Sequence, residues 1–182
     1  MRNSLNAVTA LIVVALSVIS CEKKAGNYPK IDILTLPSQA GKDIRTVYTD
    51  SGRIQLVLST PLMETFDKTD EPYSEFKEGI NVLFHDGNEE PIASVTAKYA
   101  KYLDNKHLWE LKDSVVAINE AGEKLETELL FWDQKKDIIY TDRFVKIINE
   151  DQTLMGTGFE SDIKLNRRKI KSPSGPIYLK DK

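Results

Sequence analysis

Two histidines, one cysteine and a scatter of carboxylates are the side chains of this 182-residue chain with obvious chemical capability. His85 stands ahead of Asp86-Gly87-Asn88, and His107 closes Asp104-Asn105-Lys106. Neither has a companion at metal-ligand spacing, so both read as solvated turn residues. No Gly-x-Ser-x-Gly elbow, phosphate loop or dinucleotide fingerprint occurs. Met155-Gly156-Thr157-Gly158-Phe159 contains Gly-x-Gly, but between strand-like segments, whereas a phosphate site needs a helix to follow. The carboxylates sit in turns or alternate with apolar residues, as on a wetted strand face. The sequence therefore predicts no enzyme, no metal and no cofactor.

Cys21 is the exception. Ala7 to Ile19 is an apolar run broken only by Thr9 and Ser17, with Arg2 the sole charge before Glu22. A spanning helix needs about 20 apolar residues, so the run suits a signal-peptide core better. It ends in Val18-Ile19-Ser20-Cys21, which resembles a bacterial lipobox. Residues 1–20 are expected to be a lipoprotein signal peptide, with Cys21 the acylated first residue of the mature chain. A diacylglycerol plus an amide-linked acyl chain suffices for stable membrane anchoring. No thiol is then left for a disulfide or a nucleophile. Losing Arg2 takes the formal charge from −3 to −4, which speaks against nucleic acid as a partner.

The elements that must position the rest are strands. Residues 21–45, punctuated by Gly26, Pro29, Pro37 and Gly41, read as a tether with one apolar patch at Ile31-Asp32-Ile33-Leu34. From Thr46 the pattern turns dense and short-period. Ile54 to Leu58 and Gly79 to Phe84 read as strands by alternation and β-branching, and Pro61 to Lys77 as irregular. Thr96, Thr127 and Thr157 lie 31 and 30 residues apart, and Val115-Val116-Ala117-Ile118-Asn119 is matched 30 residues on by Val145-Lys146-Ile147-Ile148-Asn149. Each unit reads as three short strands joined by polar turns, and such units bury a continuous core only when stacked. The extra residue between Thr96 and Thr127 implies a bulge.

Phase then assigns faces. Lys146 takes the place of Val116, so that side is the wetter one. Val115, Ala117, Val145 and Ile147 are expected inward, with Ile80, Val82 and Phe84. So are Trp109 and Leu111, which flank Glu110, and Leu125, Leu129 and Phe131, which alternate with Glu126 and Glu128. The expected fold is all-β: a twisted, open antiparallel roll over residues 46–170, with 171–182 a flexible tail. Arg167-Arg168-Lys169-x-Lys171 reads as part of that solvated end, or as a contact for an acidic partner or anionic headgroups.

These residues resemble the LptC family of the lipopolysaccharide export machinery. The resemblance rests on Tyr73-x-x-Phe76-x-x-Gly79-Ile80-x-Val82, Ala97-x-x-Ala100-x-Tyr102 and Trp109-Glu110-Leu111. It continues in Gly122-x-x-Leu125-x-Thr127-x-x-Leu130-x-Trp132-Asp133, Ile139-Tyr140-Thr141-Asp142, Val145-x-Ile147 and Gly156-x-Gly158-Phe159. It implies a β-jellyroll on the periplasmic side of the envelope whose apolar lining, here the twelve inward residues, holds lipopolysaccharide acyl chains. It also implies an inner-membrane ABC transporter docked at the N-terminal edge and the next, LptA-like jellyroll paired with the C-terminal edge strand. Familiar members carry an uncleaved spanning helix; this chain has a lipobox in its place. The alternative is a structural envelope lipoprotein, its core closed, that docks partners by edge strands without lipid cargo.

Overall fold

The computed structural model describes residues 36–88 and 90–179. The expected signal peptide, Cys21, the Ile31–Leu34 patch and the rest of 21–35 lie outside them. Eleven strands follow: β1 (Gln39–Asp50), β2 (Arg53–Phe66), β3 (Tyr73–Phe76), β4 (Ile80–Phe84), β5 (Ala93–Ala97), β6 (Tyr99–Leu103), β7 (Leu108–Asn119), β8 (Lys124–Asp133), β9 (Ile138–Ile148), β10 (Gln152–Ser161) and β11 (Lys169–Leu179). Among the described residues the helical content is a 3-10 turn at Asp104–Lys106, closed by His107 in the left-handed conformation at φ 52°.

All strand pairs are antiparallel. Two long strands organise them. β2 pairs with β4 through Leu56 to Ser59 and with β3 through Glu64 to Phe66. β7 pairs with β5 through Val116 to Asn119 and with β6 through Leu108 to Lys112. Since β4 pairs with β5 and β3 with β6, the six strands β2-β4-β5-β7-β6-β3 close a ring. From β7 the sheet continues outward as β8, β9, β10 and β11, and from β2 as β1. Among the described residues the fold is thus a jellyroll-like roll with two open edges, β1 and β11.

The thirty-residue repeat is explained by β8. Thr127 pairs with Val115 on one side and Val145 on the other, and Leu125 with Ala117 and Ile147. The two repeats are therefore equivalent strands flanking a common neighbour. Each is one long strand where sequence reading drew two short ones. Trp109, Leu111, Val115 and Ala117 are buried along β7, and Ile139, Thr141, Val145 and Ile147 along β9, thirty residues later. Each such buried aliphatic contributes about 1.5–3 kcal/mol relative to exposure. The gap between Leu111 and Val115 is a corner: Asp113 and Ser114 both have positive φ (63° and 55°), which lets β7 bend across the roll.

Four expectations are corrected. In β8 the inward phase shifts after Thr127, where register breaks against both neighbours. Leu130 and Trp132 turn inward, and Leu129 and Phe131 lie on the opposite face, Phe131 stacked on Tyr140 at 5.3 Å. The Thr96–Leu103 segment is not one bulged strand; it breaks at Lys98, whose N–H donates to the Asp113 carbonyl at 3.0 Å, and resumes as β6 in the other half of the ring. Residues 39–45, expected in the tether, form the first half of β1. Lys169 to Leu179, expected in large part as a loose tail, is β11. Both edge strands owe their order to a backbone ladder on one neighbour, a signal absent from their own polar pattern.

Candidate functional site

A cavity of about 880 Å³ opens between β1, β2, β3, β4, β6, β7 and β8, reaching from Ser74 and Phe76 of β3 to the β4–β5 connection and to Ile163 and Lys164 beyond β10. Its floor is aromatic. Phe76 and Tyr102 pack on Trp109 with ring centroids at 5.4 and 4.8 Å; Trp109 lies 6.4 Å from Trp132, and Trp132 meets the Phe84 edge at 5.1 Å. Trp109 and Trp132 are directly cross-strand on β7 and β8, so the phase shift in β8 is what brings the second indole inside. Leu56, Leu58 and Met63 of β2 form an aliphatic wall.

The rim is polar but sparsely charged. His85, expected as a solvated turn residue, is 9% exposed and fronts the cavity. Its Nδ1 lies 3.1 Å from the Asn88 carbonyl oxygen. That geometry puts the proton on Nδ1 and leaves a lone pair on Nε2. His107 is exposed as expected, and its Nδ1 lies 3.4 Å from the Tyr102 hydroxyl. Burial, with Asp104 nearby, pushes the Tyr102 phenol above its ordinary pKa, so it remains a neutral donor. Asp86 is the carboxylate in this lining, and it accepts the Asn88 side-chain amide at 2.8 Å. Two histidines without a cluster of acids form no acid–base constellation. What the cavity can do is shelter an elongated apolar group and hydrogen-bond to it at a few points.

Of the twelve residues expected to line a lipid site, Phe84 and Trp109 front this cavity. Val82, Leu111, Val115, Ala117, Leu125, Val145 and Ile147 are 5% exposed or less and pack against one another as a filled core. Ile80 is also in that core and borders a shallower hollow beside Gly79 and Lys98. Leu129 and Phe131 are on the other face of β8. Sequence phase alone missed Leu56, Met63, Phe76, Tyr102 and Trp132. Three of these, Phe76, Tyr102 and Trp132, stand in the motifs that carried the family resemblance, so spacing against relatives held the signal that alternation lacked.

A family model described as "LptC: Lipopolysaccharide-assembly, LptC-related" matches residues 7–174. The match covers all of β1 to β10, the first half of β11 and the whole apolar run from Ala7 to Ile19 that precedes Cys21. No curated protein matches the chain.

Proposed function

Because this chain belongs to the LptC family, whose members take part in lipopolysaccharide transport on the periplasmic side of the cell envelope, we propose that its cavity carries lipopolysaccharide acyl chains between membranes. In this reading the chain receives lipid from an inner-membrane ABC transporter and passes it to the next, LptA-like jellyroll. Cys21, acylated, holds it on the membrane, with the inner membrane favoured by the family. No bond is made or broken in the carrier; the transporter's ATP hydrolysis drives the flux.

The observation that carries the proposal is the open, aromatic-floored cavity beside a tightly filled core. Removing apolar surface from water yields roughly 25 cal/mol per Å², so such a hollow stabilises acyl chains as they cross an aqueous space. The closed scaffold reading draws on the other half of the molecule, where Val115, Leu125, Val145 and Ile147 leave no room for a ligand. The two divide at the cavity wall. A photo-crosslinking residue at Met63 or Leu56 should capture lipopolysaccharide in cells, whereas one at outward-facing Phe144 or Phe131 should not. Equal capture at both sets, or none at several cavity positions, overturns the carrier reading.

A further inference from the structure

The connection between β10 and β11 is a strap rather than a tight turn. Glu160 and Lys169 pair across its base, yet the residues between them reach back to the end of β7, where the Asn119 side-chain amide donates to the Lys164 carbonyl at 3.0 Å. Leu165 is driven into the core, 2% exposed, at a φ of 60° that a bulky side chain adopts only under constraint. One residue supplies much of that constraint. Asp162 Oδ1 accepts from the Asn166 N–H at 2.7 Å and the Arg167 N–H at 3.4 Å, and the Asp162 carbonyl accepts from the Leu165 N–H at 3.1 Å. Ile163, between these anchors, lines the aromatic cavity together with Phe84, Trp109 and Trp132. The same four side chains line a second apolar gap of about 10 Å³, backed by Val95, Leu111, Leu130 and Ile139. Three of the four are fixed in strands; Ile163 alone stands outside the ladder.

From this arrangement we propose, resting on the acyl-carrier reading above, that residues 162–168 are a gate on the cavity. When the Asp162 turn lets go, Ile163 leaves the partition and the gap behind the aromatic floor joins the cavity, so that an acyl chain enters or leaves there. The pair Glu160 and Lys169 serves as the hinge, and opening breaks no strand. Release also relieves the Leu165 backbone, which offsets part of the cost of exposing its side chain. A gate that closes equally over the empty and the filled cavity sets loading and unloading rates together and leaves affinity unchanged.

The chain has just two tryptophans, and both flank the partition. Energy transfer from them to cis-parinarate, a fluorescent acyl chain, therefore reports arrival at this point in the full chain held in detergent micelles. Asp162→Ala should raise the association and dissociation rates alike, about tenfold, the equivalent of one charge-assisted hydrogen bond. Kd should change little, and amide exchange at Leu165, Asn166 and Arg167 should quicken. Asp162→Asn, which keeps the Oδ1 acceptor, should restore the wild-type rates and exchange. Ile163→Ala should speed binding while exchange in the strap is unchanged, and it carries the test if Asp162→Ala fails to fold. Wild-type binding rates in the folded variants overturn the gate and leave the carrier reading standing. Failure of the wild-type chain to bind parinarate at all overturns both.

Discussion

At the scale of single residues, the repeat leaves a polar imprint as well as an apolar one. Asn119 and Asn149, thirty residues apart, both donate from Nδ2 to the Glu123 carboxylate, at 3.0 and 3.2 Å. Arg168 donates to the same carboxylate at 2.6 Å, and Asn119 returns a carbonyl oxygen to the Glu123 N–H at 2.9 Å. One side chain thereby ties the β7–β8 turn, the β9–β10 turn and the approach to β11. Burial works to raise the Glu123 pKa, but the three donors outweigh it and hold the group below its ordinary 4.5. A depressed carboxylate stabilises the fold fully above the unfolded-state value and loses that contribution as pH falls through the folded one. The native chain should therefore lose stability as pH drops below about 4.5. Glu123→Gln should cost about 1–2 kcal/mol at neutral pH and flatten that acid limb, as read by denaturant melts at both pH values. A variant that melts like the wild type with the same acid slope would show the clasp to be ornamental. The basic cluster that sequence reading assigned to a solvated end thus contributes Arg168 to the fold, a role visible only once Glu123 is placed beside it.

At the scale of elements, what the sequence discloses depends on where each strand's order originates. β7 and β9 carry their own alternation, so Trp109, Leu111, Val115, Ala117, Val145 and Ile147 were legible as inward. In β8 the run Leu125-Glu126-Thr127-Glu128-Leu129 reads as unbroken period two, and nothing local announces the shift that substitutes Leu130 and Trp132 for Leu129 and Phe131. Its cause is distant: the corner at Asp113-Ser114 bends β7, and β8 must follow. The edges are the extreme case, since β1 is exposed along nearly its whole length. β11 can be tested at its partner. A Cβ at Gly156 would lie 2.6 Å from the Ser172 carbonyl oxygen and 3.0 Å from Pro173 Cα, so only glycine lets the two backbones approach. Gly156→Ala should lift β11 from β10 at a cost of about 1–3 kcal/mol. Faster amide exchange confined to β10 and β11, with cleavage by trypsin after Lys169 or Lys171, would register it. Unchanged exchange there would mean that the strands tolerate the extra methyl.

At the scale of the whole molecule, the aromatic cavity opens within the ring while the described sheet ends in two unlike edges, and the difference between them bears on assembly. β1 is free of proline from Gln39 to Asp50 and presents Val47 and Tyr48 at 40% and 61% exposure, so its backbone keeps its donors for a further strand on either side of the irregularities at Asp43 (φ 50°) and Tyr48/Thr49. β11 contains Pro173 and Pro176, each without an N–H, which a strand tolerates only where one side is unpaired. Strand addition at β11 has fewer donors available and must lean more on side chains. Those at its start are basic: Lys169 and Lys171 are exposed, with the Lys171 stem lying over Gly158. A partner strand recruited there should accordingly be acidic, and its association should weaken with ionic strength. In the carrier reading this partner is the next jellyroll of the bridge. Lys169→Glu with Lys171→Glu should therefore reduce recovery of that jellyroll from envelope extracts while recovery of the transporter, docked at β1, is retained. Capture of lipopolysaccharide at Met63 should persist in the same double variant, because the cavity lies in the ring and not at the β11 edge. Loss of both partners together would point instead to a β11 that no longer folds, which the exchange pattern of β10 distinguishes. Undiminished recovery of the jellyroll at low and high salt alike would rule out an electrostatic edge.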